Sequence, residues 1–251
     1  MRIHLAALTN GYMSAVLQKE RPIYTLCTFV EGAKACDYTI KISPLGIEGF
    51  LLDSGAFSFM SGKDCSKESL QLYQHEYIEY INSRDVKYFF ELDVDTIFGL
   101  EFVHKLRKEL EEKTKKKCIP VWHKSRGVEY WKWMVDNYNY VAIGGLVFHV
   151  MPKEYELIRK MVAYARAKGV KVHGLGFTKT SKLDQFAFWS VDSTSYKMAA
   201  IRGGGIHRFN GKRIVQDIMP KSNFKRNTYS IIENNVKEWV KYQKYMDSKP
   251  W

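Results

Sequence analysis

Short apolar runs rich in β-forming residues recur along the chain between longer stretches of helical periodicity, and this alternation constrains the fold more than any other feature. The runs are Phe50 to Asp53, Tyr88 to Asp93, Cys118 to Trp122, Tyr140 to Leu146, Lys171 to Leu175 and Phe188 to Asp192. Helical stretches follow at Lys67 to Asn82, Leu100 to Lys115, Val128 to Asn137, Lys153 to Ala167 and, briefly, Ser181 to Phe186. Ile3 to Leu8 and Ile23 to Val30 bring the strand count close to eight. The pattern predicts an α/β fold, a single (β/α)8 TIM-type barrel domain over residues 1–251, which suits the length. An open doubly wound sheet is the alternative, but no GxGxxG turn follows a first strand. Thr228 to Asp247 reads as a closing amphipathic helix, with Ile232, Val236, Trp239, Val240 and Met246 on one face and Gln243 interrupting the stripe.

Hydrophobic residues at 45% and charged residues at 26% are the balance of a folded protein. The longest apolar runs, such as Tyr140 to Val150, are too short to span a bilayer, and the first ten residues lack an apolar signal core, so the reading is cytoplasmic with no membrane partner. Cys27, Cys36, Cys65 and Cys118 form no CxxC pair, which predicts neither a disulfide framework nor bound zinc. Thirty-nine Lys and Arg against 27 Asp and Glu give a net charge of +12, which favours a polyanionic partner such as nucleic acid.

Three of the strands run from apolar residues straight into an aspartate: FLLDSGAF ends on Asp53, FFELDVD on Asp93 and FWSVDSTS on Asp192. Burying a carboxylate costs free energy, so strands built this way deliver it to a cleft, and in a parallel barrel all C-terminal strand ends open on one face. Any one of these aspartates could instead cap the next helix; three in register predict a shared site. VAIGGLV places Gly144 and Gly145 at another strand end, and HGLG, from His173 to Gly176, repeats the arrangement, either as tight turns or as bare backbone that a flat ligand can approach. Beyond Asp192, IRGGGIHRFNGKRIV is a basic insertion in which Arg202, His207, Arg208, Lys212 and Arg213 surround glycines, suited to phosphates or to a solvated hairpin turning at Asn-Gly. The lysines from Lys113 to Lys117 read as a solvated helix end.

DSGAFS, FELDVD, VAIGGLV, HGLG and SVDSTS, in this order, resemble the motifs of the tRNA-guanine transglycosylase family, the queuine tRNA-ribosyltransferases, over roughly Leu51 to Arg213. The resemblance implies that Asp192 is a nucleophile attacking C1′ of a guanosine, that Asp53 is the general acid/base for the exchanged heterocycle, and that Asp93 reads the guanine-like edge. It further implies backbone contacts to the base from Gly145 and Leu146, with Gly144 beside them, stacking by Phe57, and base contacts by His123 and His173 where the family usually has glutamine and methionine. It implies no cofactor. The family's first motif normally reads DSGGF or DSGGY followed by Gln, so Ala56 and Ser58 depart from it.

Enzymes of the tRNA branch carry a C-terminal zinc site of three cysteines and a histidine, and no cysteine follows Cys118. The chain resembles instead the compact DNA-modifying branch, the DpdA-type transglycosylases of phages and bacterial islands. The expected partners are therefore DNA and a free 7-deazaguanine base such as 7-cyano-7-deazaguanine. Three other readings stand beside this one: the same chemistry on tRNA, a non-catalytic nucleic-acid-binding barrel, and a glycoside hydrolase using Asp53 and Asp192 as its carboxylate pair.

Overall fold

The computed structural model describes residues 1–9, 11–60, 66–146, 154–177, 179–203, 205–218 and 227–250. Seven parallel strands are β1 (Arg2–Ala6), β2 (Thr25–Thr28), β3 (Phe50–Asp53), β4 (Val121–Trp122), β5 (Tyr140–Ile143), β6 (Lys171–Gly174) and β7 (Ser190–Ser193). They lie in the order β3-β2-β1-β7-β6-β5-β4. Segment 88–91 fills the gap between β3 and β4. On one side Leu52 N donates to Tyr88 O at 3.0 Å and Phe90 N to Leu52 O at 3.1 Å; on the other, Ile119 N donates to Phe89 O at 2.8 Å and Glu91 N to Ile119 O at 3.1 Å. The ring thus closes through eight parallel segments in chain order, the TIM-type architecture that the alternating pattern predicts.

Side chains of a strand alternate between its two faces, so each segment sends one set of residues inward and the other toward the helices. Ala6, Leu26, Leu51, Phe90, Ile119, Val121 and Ala142 fill the barrel with apolar bulk, flanked by Tyr88 and Tyr140. The opposite set packs outward in two sheaths. One, around Phe50, Leu52 and Phe89, lies under α4 (Lys67–Arg84) and α6 (Leu100–Thr114). The other, around Ile3, Val141, Val172 and Val191, lies under α7 (Gly127–Asn137), α8 (Tyr155–Ala167) and α10 (Thr228–Asp247).

Several boundaries differ from the sequence expectation for local reasons. The N-terminal fifty residues also hold helices α1 (Ser14–Glu20) and α2 (Ala33–Ile42), whose apolar positions are too few for a visible stripe. Short helices α3 (Ala56–Met60) and α5 (Asp95–Phe98) follow the ends of the third and fourth segments. The expected helix from Ser181 to Phe186 is a single 3-10 turn, Leu183–Gln185. The start of the Lys153 to Ala167 helix lies outside the described residues, and the helix is seen from Tyr155. The basic insertion is ordered as α9 (Ser195–Gly203) and an antiparallel hairpin, β8 (Gly205–Phe209) and β9 (Ile214–Ile218). Gln243 does not interrupt the apolar face of α10. It is fully buried, donates to Ile3 O at 2.5 Å and Tyr24 O at 2.7 Å, and accepts from Ile23 N at 2.6 Å, so it satisfies backbone groups at the start of β1 and β2. No helix among the described residues is long and apolar enough to cross a membrane.

The wall between β4 and segment 88–91 contains a buried charge cluster. Glu91 shares the outward parity of Phe89 and is wholly buried; Arg126 reaches one of its oxygens at 2.7 Å, Arg107 the other at 3.0 Å, and Val121 N donates to it at 2.9 Å. Arg126 continues to Asp95 at 2.6 Å. Glu91→Ala should leave the buried Arg107 guanidinium without a carboxylate and Arg126 with Asp95 alone, and cost roughly 3–5 kcal/mol, read as a lower urea midpoint. An unchanged midpoint would mean that the cluster holds nothing in place.

Candidate active site

The inward parity that carries the filling through each strand continues to the C-terminal mouth, where three of the five strands below end on a polar side chain. Leu51 leads to Asp53, Val121 to His123, Ala142 to Gly144, His173 to Leu175 and Ser190 to Asp192. Asp93 reaches the same end after a tight turn in which Val94 N donates to Leu92 O at 3.0 Å.

Asp53 accepts from Thr28 Oγ1 at 2.9 Å, its register partner on β2. Burial, then the charge of Asp93, and to a lesser extent that of Asp192, raise its carboxyl to about 7, against the pull of the Thr28 hydroxyl. Asp93 and Asp192 thus lie near enough to Asp53 for their charges to act on it. Asp93 is bound to His123 Nε2 at 2.6 Å, both side chains being mostly but not wholly buried. Burial alone would lower His123, but the hydrogen bond and charge of Asp93 outweigh it and hold the imidazole above its usual value.

Asp192 accepts from Gly176 N at 2.6 Å and lies 3.2 Å from His173 Nε2, both on Oδ1. The positive φ of Gly176 brings its amide to the carboxylate. His173 is fully buried beneath Asp192, and its other ring nitrogen is 2.5 Å from Ser190 Oγ. The expectation that His173 touches a bound base is therefore corrected: both nitrogens are engaged inside the barrel, and it supports Asp192 instead. His4, opposite Asp192 in the β1–β7 register, is held near pKa 3 by burial and by His173, so it stays neutral.

The paired glycines divide their work. A Cβ on Gly144 would stand 2.5 Å from His123 Cε1, so Gly144 makes room for the His123 ring rather than for a ligand, which corrects that part of the expectation. Gly145 takes φ +71° and is partly exposed. The Leu146 side chain is buried in the sheath between barrel and helices, leaving its backbone as the group that can face the mouth. Phe57 is the second residue of α3, and its side chain lies outside the described residues. Gly55, at φ +77°, has no space for a side chain, since a Cβ would lie 2.3 Å from Val30 Cγ2.

Of the basic residues after β7, Arg202, Arg208, Lys212 and Arg213 are exposed, Arg208 pairing with Asp217 at 3.2 Å. His207 is mostly buried on the face of β8 that packs on α10, where it accepts from Trp239 Nε1 at 2.9 Å, and it is also part of the lining of the cleft beside α9. Between α9, residues 179–181 and the hairpin runs a cleft of ≈ 690 Å³, with Lys179, Arg202, Arg213 and Ser195, three residues past Asp192, in its lining. Thr28, Ser190 and Tyr140 belong to the site without having been expected there. Only strand parity could have found Thr28 and Ser190, each two residues beyond or before an inward neighbour.

No family model matches the chain, and no curated protein matches it. Among solved structures the YdjI aldolase from Escherichia coli K12 superposes with a TM-score of 0.55 at 10% identity, over 98% of this chain and 91% of that one. The carboxyl transferase domain of Rhizobium etli pyruvate carboxylase gives a TM-score of 0.47 at 11% identity over 97% of this chain, which spans about half (48%) of that chain's length. At such identity the aldolase likeness shows a shared barrel fold.

Asp53 should make stability fall with pH. Its folded pKa of about 7 lies above the unfolded value, roughly 3.9, so the folded state binds the extra proton between them and loses that advantage as pH rises through the window. Asp53→Asn keeps an acceptor for Thr28 and lacks the penalty. Its melting temperature should match the parent near pH 4 and exceed it at pH 8; a constant offset would contradict the raised carboxyl.

Proposed function

We propose that this chain exchanges guanine in a nucleic acid for a 7-deazaguanine through a covalent aspartyl–nucleotide intermediate. The observation that carries the reading is the division of labour between two facing carboxyl groups: Asp53 titrates near neutrality, while Asp192 rests on a backbone N–H and a buried histidine. One group suited to giving and taking a proton and another held as a positioned carboxylate are what a two-step displacement requires.

In the first step an Asp192 oxygen forms a bond to C1′ as the bond from C1′ to guanine N9 breaks. The base leaves with that electron pair and takes the proton of Asp53. In the second, the incoming base gives its N9 proton to Asp53 while its nitrogen attacks C1′, and the electron pair of the C1′–oxygen bond returns to Asp192. Asp93, with one oxygen taken by His123, has the other for the 2-amino and ring N–H groups of the base. His123, whose imidazole Asp93 holds above its usual value, has its other ring nitrogen for the base oxygen.

For the polymer, the cleft beside α9 sets Lys179, Arg202 and Arg213 near the nucleophile strand, where they suit backbone phosphates. The net charge of +12 suits either polymer, and the resemblance to the compact DNA-modifying branch favours DNA. The fold is one that serves many enzymes, and its aldolase neighbour agrees with an enzymatic role without specifying a reaction.

Labelled guanine incubated with the protein and either polymer tests this. Label should enter DNA and should not enter it with Asp192→Asn, whose affinity for DNA should be nearly unchanged. Label entering tRNA alone would reassign the polymer, and release of free guanine without incorporation would favour a hydrolase. Arg202→Ala and Arg213→Ala should each weaken DNA binding and reduce the salt slope by about 1, with no such change if the cleft is not the phosphate track.

A further inference from the structure

The two oxygens of Asp192 are unequal. Oδ1 takes both the Gly176 amide and His173 Nε2, whereas Oδ2 has no hydrogen-bond partner among the described residues. Behind His173 the chain of polar groups continues: Nδ1 is 2.5 Å from Ser190 Oγ, which is itself 2.5 Å from the Tyr140 hydroxyl. His173 and Ser190 are fully buried, and Phe90 packs on the imidazole with ring centroids 5.2 Å apart, so water does not complete these bonds.

The protons in such a chain can be placed by elimination. An ionised carboxylate only accepts, so His173 must carry its proton on Nε2. A neutral imidazole then accepts at Nδ1, and Ser190 must donate there. The Ser190 oxygen is left as acceptor for Tyr140, whose phenol keeps its proton because burial raises it well above the usual value. Every donor in the chain finds an acceptor in this one direction. Reversing it would leave Nε2 and the carboxylate with no proton between them.

We propose that Tyr140, Ser190 and His173 form a one-way relay of donors that fixes His173 as the Nε2–H tautomer, anchors Asp192 through Oδ1 and leaves Oδ2 as the attacking atom. The attacking role rests on the transglycosylase reading; the tautomer does not. Tyr140, Ser190 and His173 touch no reacting atom and are positioning residues. Their effect is largest when Asp192 is ionised, before attack and again as it departs from C1′, because donors to a carboxylate stabilise its charged form.

Protein labelled with ¹⁵N-histidine separates the two parts. Two-bond ¹H–¹⁵N spectra distinguish imidazole tautomers, and of the seven histidines His173 is the one whose peaks vanish in His173→Gln. If that variant does not fold, the same peaks are identified by their displacement in Ser190→Ala. At pH 7 His173 should be a single Nε2–H tautomer, becoming a mixture in Ser190→Ala. Tyr140→Phe and Ser190→Ala should lower kcat for exchange about tenfold, with KM for the polymer unchanged. An Nδ1–H tautomer or an imidazolium in the parent protein would overturn the relay whether or not exchange occurs. An Nε2–H tautomer in a protein that exchanges no base would remove the attacking role of Oδ2 and the reading it rests on, while the relay itself would stand.

Discussion

Closure of the sheet is the constraint on which everything else in this molecule depends. Once eight parallel segments form a ring, each has one set of side chains in a confined interior and one set against helices, and no edge remains to absorb a change of register. Segment 88–91 joins Leu52 on one side and Ile119 on the other through isolated bridges, and this part of the ring is reinforced from outside by Glu91 and its two arginines. The same segment carries Asp93 to the mouth two residues later. A buried ion cluster is a weak source of net stability, but here it sits where regular pairing is sparse and holds Val121 N as well, so it joins the wall to the site.

The interior explains why the site is polar only at one end. Below the mouth the filling is aliphatic and aromatic, and an unpaired charge there would be costly. The polar intrusions that do occur, His4, His173, Ser190 and Tyr140, are neutral or hydrogen-bonded to one another and to backbone. Charge is admitted only where partial exposure and partners allow it. Asp53, with the least compensation of the three aspartates, answers by holding its proton toward neutral pH.

Much of this was legible in the sequence because it follows from periodicity. The strand–aspartate junctions at Asp53, Asp93 and Asp192 marked one face of a parallel barrel, and the helix from Thr228 to Asp247 was visible to its ends. What escaped was information carried by contacts between distant segments. His173 looks like a mouth residue when read beside HGLG, but in three dimensions Ser190 and Asp192 occupy both its nitrogens. Gly144 looks like open backbone until His123, twenty-one residues earlier, is seen to fill the space above it. His207 belongs to a basic string in sequence and to the α10 interface in space, because alternation along β8 turns it inward while Arg208 faces out. Gln243 breaks an apolar stripe on paper and satisfies three backbone groups in the fold.

The central claim is that Asp192 becomes covalently attached to the polymer. Incubating the protein with guanine-containing DNA and a base analogue that cannot complete the second step, then denaturing and digesting it, locates any adduct by mass spectrometry. The account predicts a nucleotide mass on the peptide containing Asp192, absent from Asp192→Asn and still formed, more slowly, by Asp53→Asn. An adduct on another residue, or exchange proceeding at the parent rate in Asp192→Asn, would contradict it.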